Sequence, residues 1–118
     1  MTNPGTTDSI DMVRIAAKVI SDKKGYDLVA FDVAKQSTLT DYVVIASGLN
    51  APHLKALVNE TLVQLKGEGF SCYRKSGEPD SGWIVADYLD VMIHFFIQEL
   101  REYYALDQIL EGTPKVKL

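Results

Sequence analysis

The chain has 118 residues, 47% of them hydrophobic and 24% charged, with a formal net charge of −4. That length fits one domain, which buries roughly two-thirds of the surface its unfolded form exposes and needs no disulfide or metal staple. The composition is that of a globular domain and excludes disordered, collagen-like and coiled-coil classes for the body of the chain. The most apolar run, Val91 to Ile97, is far shorter than the ~20 residues of a membrane span, and no basic-then-apolar leader opens the sequence. One cysteine, Cys72, has no partner for an internal disulfide, and with only His53 and His94 for company it offers no zinc-ligand spacing. These features fit a cytoplasmic protein in a reducing compartment, with no membrane association and no cofactor.

Residues 1–7 read as a flexible N-terminus, after which Asp8 or Ser9 offers a helix cap. Ile10, Val13, Ala17 and Ile20 recur at helical spacing, and Gly25 suits a left-handed helix end. Leu28–Val33 reads as a nearly continuous apolar strand, Lys35 to Thr40 as a polar turn, and Tyr42–Ser47 as a β-branched second strand. Asn50 and Pro52 announce a helix whose apolar stripe runs through Leu54, Leu57, Val58, Thr61, Leu62 and Leu65. Gly67 and Gly69 stop it; Phe70–Tyr73 reads as a short strand and residues 76–82 as a loop. Trp83–Asp87 and Val91–Phe96 read as strands joined in a hairpin by Tyr88-Leu89-Asp90, and Glu99–Leu110 as a last helix ended by Gly112 and Pro114. The order α-β-β-α-β-β-β-α describes one α+β domain over residues 8–111 with a mixed sheet of about five strands, followed by a flexible tail over 112–118.

Charge is uneven along the chain. Residues 1–77 carry a net +1, whereas residues 78–111 set eight acids against Arg101 alone, a net of −7. Such a segment repels phosphates, so little direct nucleic-acid contact is expected; it suits a basic protein partner, or serves solubility alone.

Catalytic patterns are weak. Ser47-Gly48-Leu49-Asn50 sits between strand and helix, where a phosphate loop would, but has one glycine and no lysine. Asp87 and Asp90 are three apart across a turn, whereas a metal-dependent nucleotidyl-transfer site sets its first two acids two apart on one strand face; turn-forming aspartates are the favoured reading. Cys72 lacks a nearby base, and His94, within the most apolar strand, reads as half-buried and hydrogen-bonded rather than as a proton shuttle. What remains is the hairpin. Trp83, Tyr88, Leu89 and Met92, with Asp87 and Asp90, are the residue types that dominate protein interfaces, although Trp83 is equally suited to a core.

The stretch Gly82-Trp83-Ile84-Val85-Ala86-Asp87-Tyr88-Leu89-Asp90-Val91-Met92-Ile93-His94 resembles the signature of the ribosomal silencing factor (RsfS, or Iojap-like) family. Thr40–Gly48 resembles that family's second-strand motif, His53 the histidine near the start of its central helix, and Glu99–Asp107 its closing helix, so the likeness covers about residues 10–111. It implies a nucleotidyltransferase-like fold without the catalytic acids, and a non-enzymatic factor, often homodimeric. Such a factor would dock on the large ribosomal subunit through its universal large-subunit protein fourteen, block joining of the small subunit and repress translation. The resemblance places Trp83, Asp87, Tyr88, Asp90 and His94 on family positions, with Trp83 and Tyr88 as anchors and the two aspartates facing basic residues. Two departures stand out: Ser76-Gly77 replaces Glu-Gly before the tryptophan, and Ile109-Leu110 replaces Leu-Trp in the last helix. Rival readings are a metal-dependent nucleotidyltransferase using Asp87 and Asp90, and a homodimeric scaffold that turns the same hairpin on itself.

Overall fold

The computed structural model describes residues 9–118; the expected N-terminal segment 1–7 and the Asp8 cap lie outside the described residues. Helix α1 (Ser9–Asp22) is followed by β1 (Tyr26–Asp32), β2 (Tyr42–Gly48) and α2 (Ala51–Gly67). Then come β3 (Arg74–Ser76), a 3-10 turn (Pro79–Ser81), β4 (Trp83–Asp87), β5 (Val91–Ile97), α3 (Gln98–Tyr104) and α4 (Leu106–Ile109). The five strands form one mixed sheet in the order β1-β2-β5-β4-β3. Only β2 and β5 run parallel, because the crossover through α2, β3 and β4 brings the chain back beside β2 in the same direction.

Strand alternation gives the sheet two unlike faces. On one face Ala30, Val44, Ala46, Ile84, Ala86, Ile93 and Phe95 are buried against Met12, Val13, Ala16 and Ile20 of α1 and Leu54, Leu57, Val58 and Leu65 of α2. The opposite face is only partly roofed. Phe31, Val33, Val43, Ile45 and Phe96 gather there with Leu100 of α3, Leu106 of α4 and Leu110.

The helix ends follow local rules. The Asn50 side chain accepts from the His53 amide at 2.9 Å, with Pro52 in the first turn of α2, as anticipated. At the end of α1 the left-handed residue is Lys24 (φ 68°) and not Gly25. The amides of Gly25 and Lys24 return to the carbonyls of Ile20 and Ser21, a Schellman exit. Gly25 is required there by space, since a Cβ would lie 2.4 Å from Ile20 Cγ2.

Three segments depart from the sequence expectations. The short strand is Arg74–Ser76 and not Phe70–Tyr73. Phe70 and Cys72 instead pack against the main core as the chain leaves α2. The last helix breaks at Ala105, which adopts φ 51°, so it divides into Gln98–Tyr104 and Leu106–Ile109. The tail expected to be flexible returns to the sheet: the Asp32 amide donates to the Pro114 carbonyl and the Val116 amide to Ala30, both at 2.8 Å, along the outer edge of β1. An open strand edge is an unpaired row of backbone groups, and these two bonds close part of it.

Candidate partner-binding face

The partly roofed face is where most of the hairpin residues converge. Register pairs Trp83 with Phe96, Val85 with His94 and Asp87 with Met92, so all six side chains share that face. The short α3–α4 pair covers the Phe96 end and leaves Val85, Asp87, Met92 and His94 partly exposed. A break at Ala105 keeps the roof short.

Trp83 settles as an aromatic on the border between core and surface. Its ring stacks on Phe96 at 5.0 Å and meets Tyr104 of α3 at a 42° tilt with centroids 4.5 Å apart, and its Nε1–H donates to His94 Nδ1 at 3.1 Å. That bond makes Nδ1 the acceptor, so the neutral imidazole carries its proton on Nε2. Burial lowers the His94 pKa from 6.5 to about 4, because the charged form loses water with no counter-charge in return. His94 is therefore a half-buried, hydrogen-bonded histidine. Tyr104 was not legible as part of this set; Tyr103 meets it edge-on at 5.0 Å, extending the aromatic row to solvent.

A clasp holds α3 in place over the tryptophan. Arg101, 8% exposed, donates from Nε and one Nη to both carboxylate oxygens of Asp107 at 3.0 and 2.8 Å, and from its other Nη to Ser47 Oγ on β2 at 2.8 Å. The Arg101 guanidinium holds the Asp107 carboxyl below its usual range.

The hairpin turn separates the remaining residues. The Asp87 carboxylate accepts from the Leu89 amide at 2.8 Å, the turn-forming role expected of it. Leu89 is 54% exposed at φ 71°, and Asp90 is exposed beside it. Tyr88 corrects the expectation of a surface anchor. One position past Asp87, it points to the helix-covered face, where it is 6% exposed within the core, and its hydroxyl has no hydrogen-bond partner among the described residues. Burial also raises its pKa.

The acidic segment is less concentrated than its sequence run. Glu78 and Asp80 line a groove with Lys55 and Lys75 against α2, on the helix-covered side, and Asp107 is engaged by Arg101. Asp87 and Asp90 remain at the hairpin. Among the described residues no three His, Cys, Asp or Glu side chains form a metal-holding group, and no helix is long and apolar enough to cross a membrane. His53 bridges two elements: its Nδ1 accepts from the Leu49 amide at 2.9 Å and its Nε2 lies 2.8 Å from the Lys23 carbonyl, tying α2 to the end of α1.

The glycine before the tryptophan is fixed by space. Gly77 has φ 95°, and a Cβ there would lie 2.2 Å from the Trp83 carbonyl oxygen. Of the two family departures, Gly77 retains the critical residue of its pair, while Ile109 is exposed and Leu110 still packs on the partly roofed face.

A family model described as ribosomal silencing factor during starvation (RsfS) matches residues 6–118. The ribosomal silencing factor of Chromobacterium violaceum is 28% identical over 102 residues, covering 86% of this chain and 84% of that protein. The Bacillus subtilis ribosomal silencing factor is 28% identical over 107 residues, 91% of each chain. A crystal structure of a Chromobacterium violaceum protein has a TM-score of 0.85 at 27% identity, over 90% of this chain and 88% of the other. These relatives are regulators, not enzymes. The family model spans nearly the whole chain and the solved structure shares its five-stranded α+β fold, and so the chain belongs to the ribosomal silencing factor family.

Proposed function

We propose that the chain represses translation by docking on the large ribosomal subunit, against its universal large-subunit protein fourteen, and occupying space the small subunit needs for joining. Family membership supports the ribosomal target. The observation that carries the reading is the open part of this sheet face, where Met92 and His94 lie beside Asp87, with Trp83 at the edge of the α3 roof and Leu89 and Asp90 exposed on the adjoining turn.

The arrangement suits an interface. Trp83 is held by two rings and one hydrogen bond, so little side-chain freedom is lost when a partner covers it. Asp87 and Asp90 would face lysines or arginines of a basic ribosomal protein, contributing steering and register more than affinity. Repression needs no bond to be made or broken. A body of 43 × 32 × 23 Å seated on the joining surface excludes the small subunit sterically, and its effect follows its concentration relative to its dissociation constant.

Co-sedimentation with purified large subunits tests the reading. The wild-type chain should pellet with them, less completely as salt rises. Trp83→Ala should lower affinity by about tenfold or more while circular dichroism shows the fold retained. Equal pelleting of wild type and Trp83→Ala would remove this face from the interface.

A further inference from the structure

Two loops meet at the end of the sheet where β2 and β5 begin. The Asp41 and Tyr42 amides both donate to the Asp90 carbonyl, at 2.9 and 3.1 Å, joining the β1–β2 loop to the β4–β5 turn. Each loop presents one exposed leucine: Leu39 is 84% exposed and Leu89 54%. Isolated exposed leucines are ordinary on protein surfaces. These two share a further property, because each is fixed by a side chain two residues earlier. The Leu39 amide donates to Ser37 Oγ at 3.0 Å, and the Leu89 amide to Asp87 Oδ1 at 2.8 Å. Thr40, 8% exposed, anchors the first loop from below, its amide also reaching Ser37 Oγ. Leu89 is held at φ 71°, a region that disfavours a branched side chain.

We infer that Leu39 is a second, sequence-distant contact of the docking surface, acting with Leu89 as a preorganised apolar pair that enters a hollow rimmed by lysine or arginine on a protein partner. The inference rests on the reading under Proposed function and extends its surface from the hairpin to the β1–β2 loop. Restrained presentation favours binding, because the Ser37 and Asp87 bonds already limit the freedom of both loop backbones that a partner would otherwise have to order. Charge selects the occupant. Asp41, Asp87 and Asp90 lie within two residues of the two leucines along the chain, with Lys35 on the first loop and Arg74 opposite Asp87 as the cations on the same segments. A second copy of this chain would bring like charges together, and a nucleic-acid backbone would meet the same excess, whereas a basic protein surface meets opposite charge.

The test is equilibrium binding to purified large subunits, by pelleting across a concentration series, for wild type, Leu39→Ser, Leu89→Ser and Val63→Ser. Val63 is 63% exposed on α2, which covers the other face, and serves as the control. Leu39→Ser and Leu89→Ser should each weaken binding by about fivefold or more, and Val63→Ser should bind as wild type does. Leu39 is too exposed for its change to unfold the chain, and matching melting curves establish that. Wild-type affinity in Leu39→Ser, alongside weakened binding of Trp83→Ala, overturns this inference and leaves the hairpin reading standing. An equal loss in Val63→Ser overturns it too, as does a loss of self-association in Leu39→Ser with subunit binding unchanged. If the wild-type chain itself is not retained by large subunits, the reading beneath it fails and this inference falls with it.

Discussion

Acidification probes the packing of the aromatic face. The imidazole of His94 ordinarily titrates near 6.5, and burial brings it to about 4 in the folded chain. The unfolded chain therefore takes up the proton first. The stability contributed by neutral His94 is complete above about pH 6.5 and is lost progressively as pH falls towards 4. At about 1.4 kcal/mol per pH unit the interval corresponds to about 3 kcal/mol; partial exposure on the open face brings the expected loss to about 2 kcal/mol. Urea unfolding of wild type and His94→Phe from pH 7 to pH 4 isolates this contribution. A phenyl ring keeps the stack on Phe96 and cannot titrate. Its failure to accept from Trp83 Nε1 is a constant offset that cancels along the pH series. With a urea slope of about 1.5 kcal/mol per molar, the wild-type midpoint should fall by about 1 M more than the variant's. Parallel pH profiles, or a His94 nuclear-resonance titration midpoint near 6.5, would refute the packing argument.

Three further outcomes follow from single side chains. Arg101→Ala should cost about 3 kcal/mol at pH 7 by urea unfolding, because it frees Ser47 and Asp107 together. Since Arg101 depresses the Asp107 pKa, that cost should shrink only as pH drops through the folded value, below the ordinary 3.8; a loss under about 0.5 kcal/mol at pH 7 would show the clasp to be idle. Gly77→Ala combines a left-handed φ of 95° with a backbone clash at the Trp83 carbonyl and should cost about 2 kcal/mol or more and quench or shift tryptophan fluorescence; an unchanged spectrum and melting temperature would contradict it. Tyr88→Phe removes a buried hydroxyl that has no partner among the described residues and should be neutral or stabilising by about 1 kcal/mol in thermal melts, and destabilisation beyond that would mean the hydroxyl is bonded.

Much of the architecture was legible because its elements carry strong local signals. Asn50 and Pro52 marked the start of α2, and the β-branched run after Tyr42 marked β2. The misreadings have physical sources. Phe70 and Cys72 are apolar because they pack beneath the α2 exit, whereas the true strand, Arg74–Ser76, is an exposed edge whose charged residues carry no burial pattern. No glycine or proline announces the break at Ala105. Arg101 and Asp107, six residues apart, close across it, and only the fold shows that. For the candidate site, the period-two alternation of a strand sets Trp83, Val85 and Asp87 on one face of β4 and Ile84 and Ala86 on the other. Carrying the count one residue further would have sent Tyr88 to the core. Tyr104 and Leu39 lie far from the hairpin in sequence and reach it only through α3 packing and the Asp90 carbonyl.

The proposed block of subunit joining by occupancy can be measured in one assay. Light scattering from mixed large and small subunits measures joining directly, with the chain added across a range of concentrations at which pelleting shows it bound. The scattering rise should fall in proportion to the fraction of large subunits occupied, and Trp83→Ala should restore it at equal concentration. A full scattering rise with large subunits saturated by the wild-type chain would contradict it.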